Sequence, residues 1–162
     1  GYCYVCACEK DEKTFVVSLL GCGWPNNKGY KWKDSLKLLD YGEDNFDYEK
    51  FWKELKFPEV PVKDGVEKNI TFGDTAVVSG IPSVSEKEKN KKILMKKGEK
   101  ISCRLEMPEK LQAPVKKGNR IGTLIYSLGE EELASYPVLA DRNVEKVSYG
   151  WCVDQVFHDF FH

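Results

Sequence analysis

Histidine, charge of one sign and long apolar runs are what this chain has least of, and each shortage excludes something. Only two histidines occur, His158 and His162, both at the far end, so the commonest acid–base side chain is missing from the rest of the sequence. Lys and Arg total 25 against 26 Asp and Glu, a net charge of -1, and that balance gives no reason to expect a nucleic-acid surface. No run of eighteen apolar residues is present, so no segment reads as a membrane-spanning helix. A secretory leader pattern is also missing, which says little about where a mature protein or a piece of a longer one resides. No Gly-rich phosphate loop occurs.

What remains is a sequence able to fold. Its 162 residues are 41% hydrophobic and 12% aromatic, enough for one ordinary domain or two small ones. Six cysteines are present, three of them as Cys3-x-x-Cys6-x-Cys8. A zinc site would pair that knuckle with a second one across a loop, and none follows. The cysteines are therefore expected to be free thiols acting as small apolar side chains, with no metal and no cofactor. On a strand Cys6 and Cys8 share one face and Cys3 takes the other, which argues against a disulfide within the trio.

Residues 2–8 and 14–21 are apolar and flank the charged stretch Glu9–Lys13, a hairpin pattern with a longer, solvated turn. Neither strand shows a clean period of two, which predicts burial on both faces. After the break at Trp24-Pro25-Asn26-Asn27, the spacing of Trp32, Leu36 and Leu39 predicts a helix over 28–41. Asn27 is its expected N-cap and Gly42 its left-handed stop. Residues 47–55 read equally as helix or as extended chain, and the prolines of Phe57-Pro58-Glu59-Val60-Pro61 mark a boundary. Beyond it come short strands cut by turns. Lys63-Asp64-Gly65 reads as a turn, 75–79 as a strand, Gly80-Ile81-Pro82 as a breaker and 85–92 as a solvated loop or edge. Residues 100–107 alternate with Ile101, Cys103, Leu105 and Met107 on one face, and strands are expected at 120–127, 132–140 and 144–147. This pattern predicts a small all-β sandwich. In the last stretch Val153, Val156, Phe157, Phe160 and Phe161 recur at helical spacing, an amphipathic helix whose apolar face either packs on its own domain or meets a membrane surface. Its polar side carries no Lys or Arg. The fold class is thus α+β: a hairpin plus helix (1–47), a linker (48–60), a β-sandwich (61–147) and a terminal helix (148–162).

Three stretches carry a family resemblance: Gly1-Tyr2-Cys3-Tyr4-Val5 with Phe15–Phe46, then Val60-Pro61-Val62-Lys63-Asp64-Gly65, then Ala113-Pro114-Val115-Lys116-Lys117-Gly118-Asn119-Arg120-Ile121-Gly122. In order and spacing they resemble the end of the catalytic domain and the β-rich C-terminal domain of serine-type D-alanyl-D-alanine carboxypeptidases, the low-molecular-weight penicillin-binding proteins. The resemblance covers nearly the whole chain. It implies a bacterial enzyme that trims the terminal D-alanine of peptidoglycan stem peptides outside the cytoplasmic membrane, using an acyl-enzyme and no cofactor. It also implies that the present residues are the tail of that enzyme, acting as stalk or docking module, with peripheral membrane contact through the terminal helix and cell-wall partners.

The chemistry of that family needs Ser-x-x-Lys, Ser-x-Asn and Lys-Thr-Gly. None of the nine serines has Lys three residues on or Asn two residues on, and Lys13-Thr14 is followed by Phe15. No catalytic residue is carried over, and the chain alone is expected to be inert. Residues 2–8, lacking the neighbouring strand of the family sheet, are expected to self-associate or to be poorly ordered. Two other readings stand beside this one. The chain could be a stand-alone binding module. Alternatively, Leu94-Met95-Lys96-Lys97 could be the hairpin of a biotinyl or lipoyl carrier, with Lys96 at its tip. Asn69-Ile70-Thr71 matches a glycosylation acceptor, which means little in a protein of the bacterial type that the resemblance implies.

Overall fold

The computed structural model describes residues 1–23, 26, 28–67, 70–71 and 73–161, the side chains of 158, 159 and 161 excepted. In chain order the elements are β1 (Tyr2–Lys10), β2 (Lys13–Cys22), α1 (Tyr30–Asn45), β3 (Phe46–Lys50), β4 (Val60–Lys63), β5 (Gly65–Val66), β6 (Val77–Val78) and β7 (Gly80–Pro82). There follow α2 (Glu86–Lys89), β8 (Lys92–Lys96), β9 (Ile101–Glu106), β10 (Leu111–Gln112), β11 (Arg120–Leu128), β12 (Glu131–Ala140), β13 (Glu145–Lys146) and α3 (Tyr149–Phe161). The class is α+β, as expected. Two compact units divide the chain: Gly1–Glu49 with Lys92–Glu99, and Lys50–Lys91 with Lys100–His162.

The first unit is the hairpin β1–β2 with α1 packed on it and the pair β3–β8 beside it. Its turn is tighter than the charge run suggested. Lys10 pairs with Lys13, leaving only Asp11 and Glu12, at φ 51° and 63°; both central residues left-handed is the geometry that matches strand twist in a two-residue hairpin. Burial on both faces is not observed. Phe15, Val17 and Leu19 on β2, opposite Cys8, Cys6 and Tyr4, form the more sheltered face, while Val5, Val16 and Leu20 are 65%, 68% and 83% exposed. The period of two is therefore present but hidden, because Val5, Val16 and Leu20 put large apolar side chains on the open face too. α1 starts and ends later than the spacing implied. The expected cap, Asn27, lies outside the described residues. Gly42 is not a stop; it sits buried within the helix, where a methyl would fall 2.9 Å from the Phe15 ring. Close packing, not backbone freedom, is what glycine provides there.

In the second unit β7–β12–β11–β9 form a four-stranded antiparallel sheet, β10–β4–β6 a three-stranded one and β13–β5 a pair. Val62, Val78, Leu124, Tyr126, Val138 and Val144, drawn from all of these regions, are its most fully buried large side chains. β9 alternates as expected, with Ile101, Cys103 and Leu105 the less exposed set. Gly80-Ile81-Pro82, read as a breaker, is instead strand β7 at the edge of the large sheet, a place where proline costs no ladder bond. The charge run contains a one-turn helix, α2, closed by a reciprocal capping box between Ser85 and Glu88. Residues 47–55 hold no helix: β3 is followed by extended chain in which Phe51 is buried at 3% exposure. Tyr126 anchors that stretch, its ring 4.9 Å from Phe51 and 5.3 Å from Trp52, its hydroxyl donating to the Lys53 carbonyl at 2.8 Å.

Candidate functional site

No catalytic constellation is assembled among the described residues. Among the described residues Ser35 is the single buried polar residue of the core set, and its Oγ finds no hydrogen-bond partner there. It lies inside α1, with Leu38 rather than lysine one turn on. No three of His, Cys, Asp and Glu lie close enough to hold a metal ion among the described residues. Two of the thiols are held protonated. Desolvation and the Asp34 carboxylate, 3.6 Å away, push the Cys22 thiol up, and burial does the same at Cys103; a protonated thiol is not the reactive form. The carrier reading fails on strand pairing. A carrier hairpin needs the strands on either side of its lysine to pair, but β8 pairs with β3, and β9 with β11. Lys96 closes β8, and its backbone N–H donates to Glu99.

The feature that remains is the last helix. α3 begins one turn before the residues that first suggest it. Ser148 caps it: the Trp151 N–H donates to Ser148 Oγ at 3.2 Å and the Cys152 N–H to the Ser148 carbonyl at 3.1 Å, the side-chain acceptance that favours serine at an N-cap. Of the predicted face, Val153 is half-buried, while Val156, Phe157 and Phe160 are 47%, 59% and 82% exposed. The side chain of Phe161 lies outside the described residues. Tyr149, missing from the sequence-based set, joins this face at 87% exposure; it stands four residues before Val153, so the same spacing extended by one turn would have found it. Tyr149, Cys152, Val153, Val156 and Phe157 line a shallow apolar hollow. Among the described residues no helix is long and apolar enough to cross a membrane.

Beside the start of α3 lies a cleft of about 620 Å³. Lys63, Asp64, Asp74, Lys110, Trp151 and Cys152 are among its lining, so both signs of charge meet an aromatic wall. Asp74 accepts the N–H and the hydroxyl of Thr71 at 2.9 and 2.8 Å, and these bonds hold its carboxyl below the usual range. Asp64 Oδ2 accepts from Gln112 at 3.0 Å. Sequence reasoning did not find the cleft, because its walls come from three separated stretches.

Parts of known proteins are similar to this chain. The D-alanyl-D-alanine carboxypeptidase DacF of Bacillus subtilis is 24% identical over 152 residues, covering 91% of this chain and 35% of its own length. Among solved structures, the D-alanyl-D-alanine carboxypeptidase DacD from Francisella tularensis matches at 24% identity with a TM-score of 0.48, over 91% of this chain and 34% of that one. Penicillin binding protein 5 from Haemophilus influenzae matches at 24% identity and a TM-score of 0.40, over 90% and 39% of the two chains. The chain thus spans about a third of the length of the relatives it matches. Residues 59–146, more than half of the chain, match the family model for the C-terminal domain of penicillin-binding protein 5. With the β4–β13 architecture that those residues form, the chain belongs to the penicillin-binding protein 5 C-terminal domain family.

Proposed function

We propose that the chain is the non-catalytic C-terminal part of a D-alanyl-D-alanine carboxypeptidase that trims peptidoglycan stem peptides outside the cytoplasmic membrane, and that it serves as stalk and docking module. The single observation that carries this reading is the family match over residues 59–146. The lack of any serine with lysine three residues on supports an inert role for these residues. Hydrolysis of a D-Ala-D-Ala peptide and covalent labelling by a fluorescent penicillin should both stay at the level of a boiled control; either signal above it overturns the non-catalytic assignment.

In this reading α3 touches the outer face of the membrane. The exposure of Tyr149, Val156, Phe157 and Phe160 supports it, each large side chain withdrawn from water contributing roughly 1.5–3 kcal/mol. The helix offers no Lys or Arg for anionic headgroups, so its binding is driven by apolar burial and is insensitive to salt. Co-sedimentation with phosphatidylglycerol–phosphatidylethanolamine vesicles should be lost in a Phe157→Ser, Phe160→Ser variant of unchanged stability. Equal, negligible binding by both proteins, with the variant less stable, would mean that the face packs on protein instead. The mixed-charge cleft favours a second role as a binding module. Crude cell-wall sacculi that retain the wild type but release a Trp151→Ala variant would support that role.

A further inference from the structure

The cleft beside α3 holds charge that the fold leaves uncompensated. Lys63, Asp64, Asp74 and Lys110 are the charged residues of its lining, and all four are exposed. Among the described residues none of them forms an ion pair, with one another or with any other side chain. The carboxylates have neutral partners instead: Asp64 accepts from the Gln112 amide, and Asp74 from the Thr71 N–H and hydroxyl. Those bonds orient the two groups without cancelling their charge. Two cations and two anions thus face one cavity with the signs held apart.

The walls are fixed before any ligand arrives. Alternation along β4 buries Val60 and Val62 and turns Pro61 and Lys63 away from the core. Asp64 follows at φ 55° in the turn to β5, a left-handed position that aspartate tolerates. Its carbonyl accepts the Val147 N–H at 2.9 Å, and the Lys63 carbonyl accepts the Ala113 N–H at 3.0 Å. The turn is therefore tied down from two sides, and little ordering remains to be done on binding. Trp151 adds an aromatic wall from the first turn of α3, whose start Ser148 fixes. β4 already has β6 and β10 on its two edges, so a ligand is held by side chains and not by strand addition. The volume, about 620 Å³, is in the range of small-ligand sites, roughly 300–1,000 Å³.

We propose that this cleft binds a short zwitterionic peptide, its free C-terminal carboxylate paired with Lys63 and Lys110 and a side-chain ammonium paired with Asp64 and Asp74. The proposal rests on the cleft's role as a binding module and names its ligand. Charge complementarity selects this occupant. A neutral sugar would use the indole and leave all four charges unmatched. A polyanion would meet Asp64 and Asp74 with like charge, and a polyamine would meet the lysines. Pro61, Ile70 and Val147, also in the lining, offer apolar surface to the aliphatic parts between the two charged ends.

The test is calorimetric titration of the intact chain at low salt with Nα-acetyl-Lys-D-Ala-D-Ala and two relatives lacking one charge each, the Nε-acetylated peptide and the C-terminal amide. The zwitterion should bind more tightly than either relative, by roughly three- to fivefold for each exposed ion pair lost. A Lys63→Met, Lys110→Met variant should lose the preference over the amide and keep that over the Nε-acetylated peptide. Asp74→Asn, which retains an oxygen for Thr71, should do the converse. The ligand series needs no variant and decides the matter alone if one fails to fold. No heat at about millimolar peptide, equal binding of all three peptides, or N-acetylglucosamine tetrasaccharide binding as tightly as the zwitterion overturns the proposal. Trp151-dependent retention on sacculi without peptide binding strikes the peptide and leaves the cell-wall role; peptide binding without such retention does the reverse.

Discussion

At the scale of single residues, the short motifs that carry the family resemblance turn out to be packing constraints. Gly65 closes Val-Pro-Val-x-x-Gly because a methyl there would fall 2.6 Å from Val144. In the second motif the two glycines do different work. Gly118 takes φ 85° in a turn, while Gly122 lets β11 approach β9 so closely that a methyl would lie 2.6 Å from the Glu106 carbonyl oxygen and from Met107. The Glu106 oxygen is backbone and cannot swing aside. Gly122→Ala should therefore destabilise the second unit by about 1–3 kcal/mol, read as a lower midpoint in urea at unchanged slope. A change below a few tenths of a kcal/mol would show that the strands separate freely at this point.

Asp141 is the charged counterpart of these glycines. Its carboxylate accepts from the Ser79 N–H at 2.9 Å and from Arg142 at 2.9 and 3.0 Å, and its own N–H donates to the Ser79 carbonyl. Burial works to raise its pKa, but the guanidinium and the Ser79 N–H outweigh it and hold the group below the ordinary carboxylate range. A lowered folded-state value means stability that is fully present above the unfolded value, about 3.9, and lost as pH falls through the folded one. Asp141→Asn should accordingly lower the thermal midpoint at pH 7, with the gap to wild type closing as the pH drops below about 4. A gap that is the same at pH 3 and pH 7 would refute this origin.

At the scale of elements, what was legible depended on whether one face differed from the other. β9 and α3 have a polar side and an apolar side, so their periods were plain and their limits fell within two residues. β1 and β2 are apolar on both sides, and the covered face could not be told from the open one. β3 and β8, FDYEK and KILMK, are short, mixed in character and far apart in sequence; nothing local pairs them. The helix at 86–89 was readable and was missed. Ser85-Glu86-Lys87-Glu88 has the serine and glutamate spacing of a capping box, but it sits within a charge run that resembles solvated loop. Ser85→Ala should cost about 0.5–2 kcal/mol and raise hydrogen exchange at the Glu88 amide, which donates to Ser85 Oγ at 3.2 Å. The candidate site divides the same way: the face of α3 follows from spacing alone, while the cleft beside it needs the tertiary fold.

At the scale of the molecule, the two units do not follow the chain. The first takes residues 92–99 out of the middle of the second, joined to β3 through β8 and through the Lys97 N–H, which donates to the Asn45 carbonyl at 2.7 Å. Asp47 ties the same region together, paired with Lys13 at 2.6 Å and Lys97 at 3.7 Å. Residues 50–162 expressed alone should therefore keep protected amides in β11 and β12 but lose protection over 92–96, measured by hydrogen exchange. Protection of 92–96 equal to that in the whole chain would show that β8 is held without β3.

The interleaving also fixes what a ribosome must tolerate. Synthesis delivers β1 through β3 early, yet their unit lacks β8 until residue 96 has emerged. By then β4 to β7 are out as well, while their pairing partners β10, β12 and β13 have yet to be made. For that interval the nascent chain carries two unfinished units at once, both with unpaired strand edges and one with an apolar face in water. An uninterrupted order of domains would have let the first close before the second began. Here the time between residue 50 and residue 96 is when the growing chain has most need of a chaperone or of a rapid translation rate.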